Sequence, residues 1–216
     1  FEEIQTLITN ALKLGTDNNF GYDYIKDFEE RFLFKSRNPI STGWPKIDKI
    51  THGGFGTSEL IVVVAPTGAG KSHVLVHLGA NALKQGKNVV HFTLELSDIA
   101  VAQRYDACLT GYNLSTLKDQ KEAIFDTIKN VDGQLLIKEY PTKSATTLTL
   151  KNHLERIRQN EMEVDMIIVD YGDLLRPVKS HVEKRHDLES IYEDLRGLAQ
   201  EFDCPVITAS QTNRRG

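Results

Sequence analysis

Positions 65–73 read Ala65, Pro66, Thr67, Gly68, Ala69, Gly70, Lys71, Ser72 and His73, a spacing suited to holding phosphates. Gly68 and Gly70 let the backbone turn tightly enough for its N–H groups to converge on phosphate oxygens. A lysine at 71 reaches β- and γ-phosphates as a point charge, and a hydroxyl at 72 is a ligand for Mg2+. Alanine takes the place of the pattern's first glycine, which costs little provided position 65 is not left-handed.

Three more side chains complete a hydrolytic set. Asp170 ends the apolar run Met166–Asp170 and supplies a carboxylate for Mg2+ beside Ser72. A base or water-orienting group is also needed. Tyr171, Gly172 and Asp173 follow the metal acid, so the role falls to Glu95 at the end of another apolar run, with Asp173 as competitor. Ser210 and Gln211 end a third run, where an amide is placed to touch a γ-phosphate and report its loss.

The elements that must position these groups follow from periodicity. The continuous β-branched run at Leu60–Val64 predicts a strand buried on both faces, and further strands are expected at Val89–Leu94, Gln134–Glu139, Met166–Asp170 and Pro205–Ser210. Helical spacing predicts helices at Ser72–Gln85, Asp98–Leu109, Lys118–Lys129, Thr147–Gln159 and Asp187–Phe202, with Gly86 as a stop and Ser97 as a cap. Such alternation implies an α/β fold with a mainly parallel sheet flanked by helices, its ligand beyond the carboxyl ends of the strands.

The chain has 216 residues and a net charge of −4, enough for one α/β domain and an appendage, and nothing global advertises a polyanion partner. Cys108 and Cys204 lack metal-ligand spacing and read as buried, reduced thiols of a cytoplasmic protein. No run approaches membrane-spanning length and no secretory leader is evident, so no membrane partner is expected. Both ends look cut from a longer protein. Phe1, Ile4, Leu7, Ile8, Ala11 and Leu12 share a helix face closed by Gly15, giving an expected division into helix 1–14, linker 15–40 and nucleotide domain 41–216.

As a set, these pieces resemble the RecA-like motor domain of DnaB-type hexameric replicative helicases, with the look of those of large tailed phages. The resemblance rests on "ISTGWPKIDKITHGGFGTSELIVV", on "FTLELS" followed by Arg104, on "IIVDY", and on "RHDLESIYEDLRGLAQEFDCPVITASQTNR". It implies a P-loop NTPase fold and an ATP-driven, Mg2+-dependent helicase moving on single-stranded DNA as a homo-hexamer, with primase and other replisome proteins as partners. Lys71 and Ser72 would hold phosphate and metal, Asp170 the metal, Glu95 the attacking water, Arg104 the nucleotide's flank and Gln211 the γ-phosphate. Helix 1–14 would dock on the adjacent subunit. The family's arginine finger lies past the last residue here, so this segment alone is expected to bind nucleotide but hydrolyse it weakly.

Between the metal strand and the last helix, Arg176, Lys179, Lys184 and Arg185, with His181 and His186, face only Glu183 and Asp187. In the resembled family this loop faces the ring channel. Lacking aromatics, it would track phosphates without reading sequence. A RecA- or RadA-like filament-forming recombinase is the alternative, disfavoured by the long linker. A small-molecule kinase would need a lid that Lys118–Lys129 does not supply. A non-catalytic nucleotide-binding module stays open.

Overall fold

The computed structural model of the chain describes residues 21–29, 32, 37–180 and 183–212. It divides into two compact units, Phe1–Ser36 and Arg37–Gly216. In the first, the described residues form a turn in which the Asp23 carboxylate accepts the Ile25 and Lys26 N–H groups at 3.1 and 3.0 Å. The expected helix over 1–14 lies outside the described residues.

The second unit opens with a brace. Asp48 accepts the Ser41 hydroxyl at 2.6 Å and the Thr42 amide and hydroxyl at 2.8 and 2.7 Å. Burial works against its charge, yet these bonds hold its carboxyl below the usual range. Asp48 sits on α1 (Pro45–Ile50), a one-turn helix with proline in its first turn, too short to register as periodicity in the sequence.

Five strands then form one parallel sheet: β1 (Leu60–Ala65), β2 (Val89–Thr93), β3 (Leu135–Glu139), β4 (Met166–Asp170) and β5 (Val206–Gln211). The spatial order is β1-β5-β4-β2-β3. Every residue of β2 and β4 is buried, which explains their unbroken apolar character, whereas the expected burial of Leu60–Val64 on both faces does not hold: β1 ends the strand order, and Val62 and Val64 are exposed. Alternate side chains serve opposite faces. Val90, Phe92, Ile167, Val169 and Val206 pack beneath α5 (Thr147–Gln159) and α6 (Lys184–Glu201). Val89, Met166, Ile168 and Ile207 pack beneath α2 (Lys71–Lys84) and α3 (Asp98–Thr110). Each such fully buried side chain contributes about 1.5–3 kcal/mol before the entropy cost of ordering it.

Gly79 on α2 marks the closest approach: a Cβ there would stand 2.1 Å from the Tyr105 hydroxyl and 2.9 Å from Ile168 Cδ1. The space it leaves lets Tyr105 reach buried His91, oxygen to Nδ1, at 3.0 Å. Ser97 caps α3 by accepting the Ala100 N–H at 3.2 Å, and Gly86 follows α2 with a φ of 72°.

Two helix limits differ from the sequence reading. The expected helix Lys118–Lys129 is instead a 3-10 segment, Leu114–Gln120, leading into α4 (Lys121–Ile128). Asn113 starts that tighter winding by accepting the Ser115 N–H at 3.3 Å. The last helix begins at Lys184 rather than Asp187, with no side-chain cap; Asp187 lies within its first turn, where a carboxylate complements the helix dipole. Cys204 is buried and its thiol pushed up to about 12 by burial, whereas Cys108 is only partly buried; both are free. Among the described residues, no helix is long and apolar enough to cross a membrane.

Candidate active site

β5 separates β1 from β4, so three strand ends stand side by side: the loop after Ala65, Gln211 and Asp170. Ala65 closes β1 paired with Gln211 and is not left-handed, so its methyl group carries no backbone penalty. Gly68 and Gly70 do carry positive φ, 77° and 91°, and a Cβ at either would meet nothing. Their requirement is therefore one of backbone conformation. Gly70 also leaves the N-terminus of α2 without a side-chain cap, so its first N–H groups remain available to an anion.

A cavity of about 230 Å3 opens above these ends. Thr67, Gly68, Gly70, Lys71, Ser72 and His73 form one wall, and Glu95 and Arg104 stand on another. Gln211 closes it, donating its side-chain N–H to the Thr67 hydroxyl at 2.5 Å. Pro66 and Ala69 shape the loop from behind, where the Ala69 N–H donates to the Pro66 carbonyl at 3.3 Å. Lys71 Nζ lies 3.3 Å from both the Ala65 and Pro66 carbonyls, folded over its own loop.

Asp170 lies under the cavity at 1% exposure. Neither of its carboxylate oxygens has a hydrogen-bond partner. Burial pushes its carboxyl up, the nearby Ser72 hydroxyl pulls it down without making a well-formed bond, and the Glu95 charge raises it further. Such a group asks for a cation. A serine hydroxyl, one carboxylate and phosphate oxygens form the hard, all-oxygen donor set that Mg2+ takes. The residues present therefore fit that ion.

Glu95 and Asp173 fare differently. Glu95 is exposed to the cavity, and no described residue occupies its carboxylate. Asp173 accepts from Tyr192 at 2.5 Å, from Ser210 at 3.2 and 3.1 Å, and from the Gln211 backbone N–H at 3.0 Å. Three donors hold the Asp173 carboxylate in place outside the cavity lining, which leaves Glu95 as the candidate base.

Tyr171 is the residue that sequence reasoning missed. It lines the cavity, lies 3.4 Å from Gln211 Oε1 through its hydroxyl, and carries Lys71 Nζ 5.5 Å above its ring. Burial, then the Glu95, Asp173 and Asp170 charges, push its phenol up, keeping it a neutral donor. Its place directly after Asp170 was the available signal.

The basic residues lie beyond β4 on the same edge. Arg176 and Lys179 are exposed in the segment after the 3-10 turn Gly172–Leu174, and Lys184 and Arg185 are exposed in the first turn of α6. His181 lies outside the described residues, as do Arg214 and Arg215. The four described cations are near in sequence, and none of them lines the cavity.

Comparison with known proteins agrees with this architecture. The model of the DnaB-like helicase C-terminal domain matches residues 39–216. A DnaB-like replicative helicase of Enterobacteria phage T4 is 28% identical across 98% of this chain and 48% of its own length. The replicative DNA helicase DnaB of Mycoplasma genitalium is 28% identical across 91% and 45%. The chain thus spans about half the length of the curated relatives it matches. Among solved structures, a DnaB-like replicative helicase described with its primase interactions superposes with a TM-score of 0.73 at 17% identity, over 98% of this chain and 53% of the other. A separately solved ATPase domain gives 0.71 at 18% identity, over 88% and 70%. With the fold, the strand-edge cavity and these matches together, the chain belongs to the DnaB-like helicase C-terminal domain family.

Proposed function

We propose that this chain is the motor segment of a replicative DNA helicase, hydrolysing ATP with Mg2+ to move along single-stranded DNA. The observation that carries the reading is the buried, unpartnered Asp170 carboxylate beneath a glycine loop whose helix N-terminus is uncapped. Lys71 leaves its loop carbonyls to hold the β- and γ-phosphates, and Ser72 and Asp170 hold the metal. Bound there, Mg2+ draws negative charge from the phosphate oxygens. Glu95 takes the proton of the attacking water, Arg104 flanks the nucleotide, and Gln211 hydrogen-bonds the γ-phosphate until it leaves.

Arg176, Lys179, Lys184 and Arg185 contact DNA phosphates irrespective of sequence. The working assembly is a homo-hexamer with ATP between neighbours and an arginine donated in trans, worth about 10³–10⁵ in rate. Helix 1–14 docks on the neighbouring subunit through linker 15–40, primase and other replisome proteins bind the ring, and the setting is the cytoplasm of a bacterium or phage-infected cell.

The test is phosphate release from ATP by the full-length protein, with and without single-stranded DNA, beside Lys71→Ala. Stimulation by DNA that disappears in the variant supports the motor. Robust turnover indifferent to DNA sinks it.

A further inference from the structure

The segment carrying Arg176 and Lys179 leaves the sheet just after a carboxylate that joins its own 3-10 turn to two other elements. Asp173, just before that segment, accepts the Tyr192 hydroxyl from α6, the helix that begins at Lys184 where the segment ends. It also accepts the Ser210 hydroxyl and the Gln211 backbone N–H, from the last two residues of β5. Asp173, three residues before Arg176, therefore ties α6 to the residue whose side-chain amide touches the phosphate loop.

The surroundings leave this junction little freedom. The Gly172 N–H donates to the buried Thr208 hydroxyl at 2.8 Å, and a Cβ at Gly172 would stand 3.1 Å from that oxygen and 3.5 Å from the Tyr192 hydroxyl. From the other side, Lys143 Nζ donates to the Asp173 and Leu175 carbonyls at 2.7 and 2.8 Å. A shift of Tyr192 on α6 or of the end of β5 must move the Asp173 carboxylate or break a bond to it, and Asp173 stands three residues before Arg176 in the chain.

We infer that Asp173 is a positioning residue that couples the basic segment to Gln211. The inference rests on the motor reading of the site. A carboxylate suits the task because it offers two acceptor oxygens and no donor, so Tyr192, Ser210 and Gln211 all fix it at once. An amide at 173 keeps one acceptor oxygen and turns a donor toward one of these donors. Coupling of this kind is reciprocal: DNA on the segment alters how Gln211 meets the γ-phosphate, and nucleotide alters the segment's hold on DNA.

The experiment uses the full-length protein, an oligothymidine strand and a fluorescent ATP analogue. Tyr192→Phe removes one hydroxyl and retains the ring packing. It is expected to keep nucleotide affinity and the DNA-free rate within about twofold while cutting DNA stimulation at least about fivefold. Asp173→Asn is expected to lower kcat in the presence of DNA by about tenfold with little change in the KM for ATP. A wild type stimulated by DNA whose two variants keep that stimulation within about twofold overturns the inference alone. A wild type indifferent to DNA overturns the motor reading and this inference with it. Should Asp173→Asn fail to fold, Tyr192→Phe decides the matter, since a merely structural tyrosine would not alter the ratio of stimulated to basal rate.

Discussion

The Gln211 side-chain N–H reaches the Thr67 hydroxyl at 2.5 Å, so the amide ending β5 already touches the loop ending β1. The pairing of β5 with β1, with Gln211 opposite Ala65, brings the two together. Gln211→Ala is expected to bind ATP within about threefold of wild type while turnover falls about 100-fold, the scale of losing one donor to developing charge. Single-turnover phosphate release, read beside equilibrium binding, separates the two effects. Equal loss of both would place Gln211 in ground-state binding instead.

The orphaned Asp170 carboxylate makes a prediction about stability. Its folded-state pKa is raised, so the folded chain holds this proton to higher pH than the unfolded chain. This group's contribution is therefore most favourable in acid and is lost as pH rises from about 4 through the raised folded value. Asp170→Asn is expected to stabilise the nucleotide-free chain by about 1–3 kcal/mol at neutral pH while abolishing Mg2+-dependent binding. Urea unfolding at pH 5 and pH 7.5 checks it; a less stable variant at neutral pH would refute the desolvation argument.

His91 acts in the opposite direction. Burial lowers its folded-state pKa to about 3, so the stability it contributes is complete above about 6.5 and is lost as pH falls from there toward 3. Replacing both members of the buried pair, His91→Phe with Tyr105→Phe, removes the titrating group without leaving the Tyr105 hydroxyl unpaired. The double variant is expected to show a flatter acid limb between pH 6.5 and 4 in thermal melts. An unchanged limb would mean that other groups govern acid unfolding.

Gly79→Ala is expected to destabilise the fold by about 1–3 kcal/mol, because the new methyl group meets the Tyr105 hydroxyl and Ile168. In a background that carries His91→Phe with Tyr105→Phe, which removes the nearest oxygen without orphaning the imidazole, the same substitution should cost less. Chemical denaturation of Gly79→Ala in both backgrounds measures the difference.

For the basic segment, Arg176→Ala and Lys179→Ala are each expected to weaken single-stranded DNA binding equally across sequences. Each should reduce the salt slope by about 0.7 per phosphate contact removed. Titrations at several salt concentrations test this, and an unchanged slope would remove that residue from the DNA path.

Much of the scaffold was legible in the sequence. β2 and β4 are buried on both faces, and their continuous apolar runs follow directly from that. The phosphate loop is local, so its glycines and lysine could be read in place. The roles of Tyr171 and Asp173 were not legible, because they depend on which strand lies beside which. Residues adjacent in sequence diverge there: Tyr171 turns into the cavity, while Asp173 turns toward Tyr192 and β5. The start of α6 was missed for a different reason. No side chain caps it, so composition carried no boundary signal at Glu183.

Nucleotide binding in this cavity is tested by calorimetric titration of a non-hydrolysable ATP analogue into the chain, with Mg2+ and with a chelator, for wild type and Lys71→Ala. Saturable one-to-one binding is expected, weakening at least about tenfold on removing either the metal or the lysine, as losing a charge-assisted contact requires. Equal affinity in all conditions, or none in any, would contradict the assignment of this strand-edge cavity as the nucleotide site.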